Sequence, residues 1–311
     1  MAGRGVAVVG SINADLTAYG SPLPRPGETV IASDFGLALG GKGANQAVAA
    51  SRAGAETYMI GAVGRDIFRE VTLATLTAEG VDTSAVQVLD GHTGIAHIRV
   101  DTMTGQNDIA VVPNANSLLT IEHAEEALRG LRDRIAIVLV QLEIPIPVIE
   151  MVASLSRELG LDLIVDPSPA LPLPTSIWGG VSVVKPNEIE AELITGTRVD
   201  DRAAAVRAGR WFLDHGAQTA LLTMAERGAV AVHHDRVEDL PAFLVQAVDT
   251  TAAGDAFAGA LGAALAQERP WPDAVRRAMA AGALAVTARG ASPSLPTADQ
   301  IEKFLTAHDD R

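Results

Sequence analysis

The chain has 311 residues, 48% hydrophobic and 20% charged, with no cysteine and a formal net charge of -14. This composition suits one large α/β domain or two smaller ones, and it excludes disulfide staples, thiolate nucleophiles and cysteine metal sites. The acidic balance argues against non-specific binding to nucleic acid or anionic membranes. No apolar stretch approaches the ~20 residues of a membrane helix, and the N-terminus enters a strand-like run at Val6 without a leader pattern, so a cytoplasmic protein is expected.

Apolar runs of strand length recur at 5–10, 56–61, 135–141, 162–166, 181–185, 219–223 and 229–233. Helical patterns lie at 43–53, 68–79, 121–132, 147–159, 188–195 and 201–215, and a further apolar run at 258–266 reads as helix. Continuous apolar strands alternating with helices predict a buried, mostly parallel sheet covered on both faces. Two stretches break the alternation. Residues 14–39 hold Pro22, Pro24, Pro26 and Gly27 without a helical pattern, and residues 93–112 alternate before a turn at Thr104-Gly105-Gln106-Asn107. Both read as antiparallel strands joined by turns. A small sheet set off from a parallel one predicts a lid, with a face left for a partner subunit or a closed substrate to cover. The expected division is a core of 1–13, 40–92 and 113–311 and a lid of 14–39 and 93–112.

The run from Asp249 to Phe257 carries the most chemistry. A small-residue turn, Thr251-Ala252-Ala253-Gly254, opens into the 258–266 helix, and helix N-termini hold unpaired N–H donors that suit an anion. Asp255 would repel that anion, which makes sense if it accepts a proton from an attacking hydroxyl; it can equally be a first-turn acid. Gly36 to Gly43 nearly spells a P-loop but ends on Gly43, which has no hydroxyl for Mg²⁺. The run Gly40-Gly41-Lys42-Gly43-Ala44-Asn45-Gln46 leads a helix and offers a cation and an amide suited to sugar hydroxyls, or else is a glycine-rich turn with polar surface residues. Asn13 and Asp15 are two apart in extended chain and face one way, a pairing suited to vicinal hydroxyls or to an ordinary turn. Asn187 and Glu190 open a helix, either to orient water around Mg²⁺ or as a capping box. The chain has no Gly-x-Ser-x-Gly, no dinucleotide glycine spacing and no metal-ligand spacing among its seven histidines.

Taken together and in order, Asn13-Ala14-Asp15, Gly40 to Gln46, Asn187-x-x-Glu190 and Thr251 to Asp255 resemble the ribokinase branch of the PfkB carbohydrate-kinase family. Pro26-Gly27-Glu28-Thr29, Pro113-Asn114-Ala115-Asn116, Gln141-Leu142-Glu143 and Gln246 to Thr250 add to the likeness, which runs from Val6 to about Phe304. The resemblance implies an α/β fold, a three-layer α/β/α sandwich with a β lid. It implies ATP-dependent phosphorylation of D-ribose at the 5-hydroxyl, in a homodimer joined through the lid. Asp255 would be the base, with the N–H groups of Ala252, Ala253, Gly254 and Asp255 as anion hole. Asn13, Asp15, Gly41, Lys42, Asn45, Glu143 and Asp255 match ribose-binding positions. Asn187 and Glu190 match the Mg²⁺/phosphate motif, with Glu190 acting through water. Thr223, Ala225, Glu226, Gly228, Gly254 and the stretch around Met279 and Gly282 match nucleotide loops. Asp249, Thr251, Ala285, Ala288, Gly290 and Ser294 match a site for an activating monovalent cation, usually K⁺.

Three departures accompany the likeness. The family's Thr-x-Gly-x-x-Gly becomes Thr223 to Gly228 with Ala225 inside it; Ala225 adds a Cβ where φ is expected to be positive, and Glu226 adds charge near the phosphates. Both are expected to weaken ATP binding without abolishing it. His97 and Arg99 stand where apolar lid residues are usual; they are expected to face solvent or a partner subunit, the alternative being contact with an extra polar or anionic group on the substrate. Asn13 is typical of the ribose enzymes rather than the 2-deoxyribose ones. Kinases of the same fold for another sugar or a nucleoside, and a catalytically weak sugar-binding homologue, are the competing functions.

Overall fold

β1 (Gly5–Val9) is buried at every residue and passes through Ser11 and Ile12 into β2 (Asn13–Gly20). β3 (Asp34–Gly40) returns and runs into α1 (Lys42–Arg52). Then come β4 (Thr57–Gly64), α2 (Ile67–Ala78), β5 (Val81–Asp82), β6 (Val86–Leu89), β7 (Gly94–Asp101) and β8 (Asn107–Val112). The second half holds α3 (Ile121–Leu131), β9 (Ile135–Val140), α4 (Ile146–Leu159), β10 (Asp162–Val165), β11 (Val183–Val184), α5 (Glu188–Thr195), α6 (Arg202–Asp214), β12 (Thr219–Thr223), β13 (Ala229–Val232), β14 (Val237–Leu240), α7 (Ala253–Ala266), α8 (Trp271–Ala285) and α9 (Ala298–Asp309). The structure is a computed structural model that describes residues 5–309; residues 1–4 and 310–311 of the expected core span lie outside the described residues.

The main sheet runs β14-β13-β12-β11-β10-β9-β1-β4-β5, with β6 also on β4, and is parallel apart from the antiparallel pairings of β13. Alternate residues of one strand feed two separate cores. Ala7 and Val9 of β1 belong to the core that also takes in residues of α3, α4 and α6, while Val6 and Val8 belong to the one that takes in residues of α1, α7 and α8. A strand buried on both faces has no polar face to show, which is why these strands read as unbroken apolar runs. Trp178 and Phe212 meet edge to face at 4.9 Å in the first core, and small residues of α7 lie against α1 in the second: a Cβ on Gly259 would come within 2.4 Å of the Ala49 side chain. The result is the expected three-layer sandwich.

The second sheet is ordered β3-β2-β7-β8. Each hairpin is antiparallel as expected, but the seam joining them is parallel, with Asn13 opposite Gly94 and Gly20 opposite Asp101. Both seam strands leave the core at the same end, so they must run the same way. Two further differences come from the C-terminal third. α7 starts at Ala253 rather than 258, which puts Asp255 in its first turn. Met279 and Gly282, expected in a loop, lie inside α8, where an alanine-rich run favours helix.

Candidate active site

The carboxyl ends of β1, β9, β10 and β11 converge, and ligands bind at such ends where an open parallel sheet reverses its strand order. Here β1 lies between β9 and β4. Ser11 follows β1, and its hydroxyl donates to Glu143 Oε2 at 2.5 Å. The same oxygen accepts the Lys42 N–H at 3.0 Å, and the Ser11 hydroxyl accepts the Gly43 N–H at 3.3 Å. The first turn of α1 is thus satisfied from outside the helix, by β1 and the loop after β9. Gly41 caps that helix at φ 87°, and a Cβ on Gly40 would fall 2.0 Å from the Asp15 carboxylate, so both positions need glycine. Burial first, then the charges of Glu143 and Asp255, push the Asp15 carboxyl up to about 7. Asn13 lies beside it on β2, its amide oxygen held by Asn116 Nδ2 at 2.7 Å.

Asp255 is buried under two carboxamides. Asn45 Nδ2 donates to one oxygen at 3.2 Å and Gln46 Nε2 to the other at 3.1 Å. Gln46 Nε2 also reaches Asp166 at 2.8 Å, while its own oxygen accepts from Gln141 at 2.6 Å. Burial raises the Asp255 pKa; Lys42 and the two amides oppose that and Asp166 adds to it, leaving a net rise. A carboxylate held in place with an elevated pKa is equipped to take a proton. Lys42 is kept protonated: burial works against its charge, but Asp255, Asp166, Glu143 and Glu190 outweigh it. Asn45 Oδ1 is buried without a hydrogen-bond partner, a vacancy that a ligand hydroxyl can fill. No side chain caps α7, whose N-cap Ala252 is left-handed at φ 59°; the Ala253 N–H makes only a long 3.4 Å bond to Thr250 O, and the Gly254 and Asp255 N–H groups are left for an outside acceptor.

Beyond this turn opens a cleft of about 320 Å³. Thr223, Ala225, Glu226 and Gly228 line it from the β12–β13 turn, Phe243, Leu244 and Val245 from the segment before α7, Gly254 from α7, and Met279 and Gly282 from α8. Every expected nucleotide residue except Asn187 is among its walls. Ala225 has φ 47°, the positive value anticipated for that position. Asn187 pairs with the Thr223 backbone and forms the capping box: its Oδ1 accepts the Glu190 N–H at 2.9 Å and Glu190 Oε2 accepts the Asn187 N–H at 2.8 Å. The cap does not exhaust Glu190. Burial and then Asp166 raise its pKa, against Lys185, and two buried carboxylates in repulsion suit a divalent cation nearby.

Asp249 joins two loops. Its Oδ1 accepts the Thr251 N–H at 2.9 Å and hydroxyl at 2.6 Å, and its Oδ2 accepts the Gly290 N–H at 2.9 Å. Val248 N–H reaches Val286 O at 2.7 Å, and the Ser294 hydroxyl donates to Ala291 O. Burial works to raise the Asp249 pKa, but Thr251 and Gly290 overcome it and hold the carboxyl below its ordinary value. An ionised carboxylate beside the bent backbone of residues 286–294, which includes Ala288 and Gly290, fits a monovalent cation bound mostly by carbonyls.

His97 and Arg99 are exposed on β7. Asp15 pairs with Ala96, so neighbouring alternation puts both on the sheet face away from Asp15. Arg99 is occupied by Asp108 of β8 through contacts of 2.7 and 2.9 Å. Gln46, Asn116 and Asp166 were not among the expected site residues, and Lys185 was expected only as part of a loop at a strand's carboxyl end, where polar residues make better site candidates, with no role of its own. Asp166 and Lys185 carried a signal: each is a charge placed directly after the apolar residues of a strand, at its carboxyl end.

The family model described as pfkB family carbohydrate kinase matches residues 4–298. The chain belongs to this family. It is 36% identical to a ribokinase of Haemophilus influenzae, over 96% of this chain and 98% of that one. It is 33% identical to a deoxyribokinase of Salmonella typhi, over 98% and 99%. Among solved structures, Arabidopsis thaliana ribokinase complexed with ribose and ATP is similar at a TM-score of 0.88 and 28% identity, covering 97% of this chain and 98% of that one.

Proposed function

We propose that the protein transfers the γ-phosphoryl group of ATP to the 5-hydroxyl of D-ribose, giving D-ribose 5-phosphate and ADP. The observation that carries this reading is Asp255: a buried carboxylate with a raised pKa, fixed by Asn45 and Gln46, at an uncapped helix N-terminus. It stands between a polar pocket and an apolar cleft. Asn13, Asp15, Gly41, Lys42, Asn45 and Glu143 bind the sugar hydroxyls. As the 5-hydroxyl oxygen attacks phosphorus, Asp255 takes its proton and the N–H groups of Ala252, Ala253, Gly254 and Asp255 receive the developing charge. ATP lies in the cleft of Thr223, Ala225, Glu226, Gly228, Gly254 and Met279, with its phosphates toward Asn187.

Glu190 would hold Mg²⁺ through water, and the ion would supply charge neutralisation to the ATP phosphates. K⁺ would be held by Asp249, Thr251, Ala285, Ala288, Gly290 and Ser294, and would supply a fixed positive charge beside the turn before α7. Residues 14–39 and 93–112 act as a lid on the core and join two copies, since Phe35 is 62% exposed and Ile109 is 56% exposed on this sheet. Among the described residues no helix is long and apolar enough to cross a membrane, and a cytoplasmic location belongs to the same reading.

The test is a sugar panel with ATP, Mg²⁺ and K⁺, following ADP release. Ribose should have the highest kcat/KM. The 33% identity to a deoxyribokinase makes 2-deoxyribose the informative competitor. Turnover of 2-deoxyribose or a hexose above ribose would replace the substrate assignment.

A further inference from the structure

Lys185 and Asp166 form an ion pair buried on both sides, with side chains 4% and 3% exposed and Nζ 3.1 Å from Oδ1. The strands that carry them do not need the pair. β10 and β11 are already in register, and the Lys185 N–H donates to Val165 O at 2.9 Å. A buried ion pair is a weak source of stability compared with apolar packing, so its placement calls for another reason. Nor is the contact a well-formed hydrogen bond, because Asp166 Oδ1 receives none. An ammonium has three N–H donors, and here they are not spent on Asp166 Oδ1.

The position of the ammonium supplies the reason. A Cβ on Gly254 would lie 3.3 Å from Lys185 Nζ, which sets the charge against the first turn of α7. The Phe257 ring centroid, one turn further on, is 6.0 Å away. A cation at the positive end of a helix is electrostatically misplaced unless an anion comes between them. The helix end carries no side-chain cap, so the Gly254 and Asp255 N–H groups and the ammonium can face one anion.

We propose that Lys185 is a catalytic residue that contacts the transferring phosphoryl group across from the α7 N–H groups, with Asp166 holding it until the nucleotide arrives. This rests on the phosphoryl-transfer reading above. The new bond forms between the sugar oxygen and phosphorus, the bond from phosphorus to the ADP oxygen breaks, the hydroxyl proton goes to Asp255, and Lys185 keeps its own proton throughout. Its charge lies where the equatorial oxygens gain charge. Gly254 is small because a side chain there would fill the space between the ammonium and the helix.

The experiment compares wild type, Lys185→Met and the double variant Lys185→Met/Asp166→Asn in the full chain. Lys185→Met should lower kcat by about 10²- to 10³-fold, the range for losing one charge-stabilising donor, while KM for ribose stays within about threefold. Calorimetric titration gives a second readout: the β,γ-imido analogue of ATP should bind about tenfold more weakly and ADP within about twofold of wild type, because one charge-assisted contact is lost only at the γ-phosphate. The double variant removes the orphaned carboxylate that could unfold the single one, and it should remain slow. Recovery of the double variant to near the wild-type rate, or equal loss of affinity for the analogue and ADP, would reduce Lys185 to the structural partner of Asp166 and overturn the proposal. Wild type inactive on every sugar would instead overturn the kinase reading itself.

Discussion

The two ends of the site solve recognition with different materials. At the sugar end, groups from β2, α1, the loop after β9 and α7 are tied together by directed contacts, and burial, with neighbouring carboxylates adding to it, raises the pKa values of Asp15 and Asp255. At the nucleotide end the walls are Phe243, Leu244, Val245, Met279 and Val286, and the polar side chains are few: Thr223, Glu226 and Thr250. Directed donors in a buried site discriminate sharply, because a ligand lacking the matching group leaves them unpaired. An apolar slot bounded by backbone discriminates by shape and tolerates change. The contrast accounts for two of the departures from the family pattern, Ala225 and Glu226, which both lie at the tolerant end; His97 and Arg99 lie outside both ends, on the face of β7 away from Asp15.

Substitutions can break that contrast. The largest effect should come from Asp255→Asn, which keeps the shape and removes the base; kcat should fall by about 10³-fold with little change in either KM, and a near-wild-type rate in steady-state kinetics would sink the assignment. Asp15→Asn should raise KM for ribose by about 10- to 100-fold through the loss of a charge-assisted contact, measured against an unchanged KM for ATP.

The same variant carries a pH signature. Asp15 titrates near 7 in the folded chain against an ordinary 3.8, so between those values the native state holds a proton that the unfolded state does not. Its contribution is most favourable below 3.8 and is lost as pH rises through 7. Melting curves should therefore show Asp15→Asn gaining on wild type as pH goes from 5 to 8; a constant difference would mean that Asp15 is not perturbed. Asp249→Asn should abolish the difference between rates in K⁺ and in a large inert cation, while leaving the sugar and nucleotide KM values near wild type. Ala225→Gly should be the smallest: it relieves a positive φ worth about 1 kcal/mol, and ATP KM should move by less than about threefold. A larger shift there would show that the nucleotide end is as exacting as the sugar end.

Much of this was legible in the sequence for one physical reason. Strands buried on both faces, such as 135–140, cannot disguise themselves, and helices that open at Asp201 or Asn187 announce their caps. Asp255 stood out because a carboxylate at an anion-binding turn conflicts with its surroundings. The same conflict, with the sign reversed, marks Lys185, but it exists only once β11 and α7 are brought together, and no local pattern encodes that meeting. The link from Gln141 through Gln46 to Asp166 and Asp255 is hidden for the same reason, since it joins residues up to 209 positions apart. α8 was missed because an alanine-rich run with glycine inside it has weak periodicity, and the parallel seam of the second sheet depends on where both strands leave the core.

That seam has a mechanical consequence. Asn13 is flanked by Gly40 on one neighbouring strand and Gly94 on the other, so three of the four strands meet the core in one row in which only Asn13 has a side chain. That row is the root from which the strands of this sheet extend. At about 3.3 Å per residue, Asp15 sits about 7 Å from that root and the far end of β2 about 23 Å from it. A 10° rotation would carry the far end through about 4 Å and Asp15 through only about 1 Å. Any opening at the tip would therefore cost Asp15 little displacement.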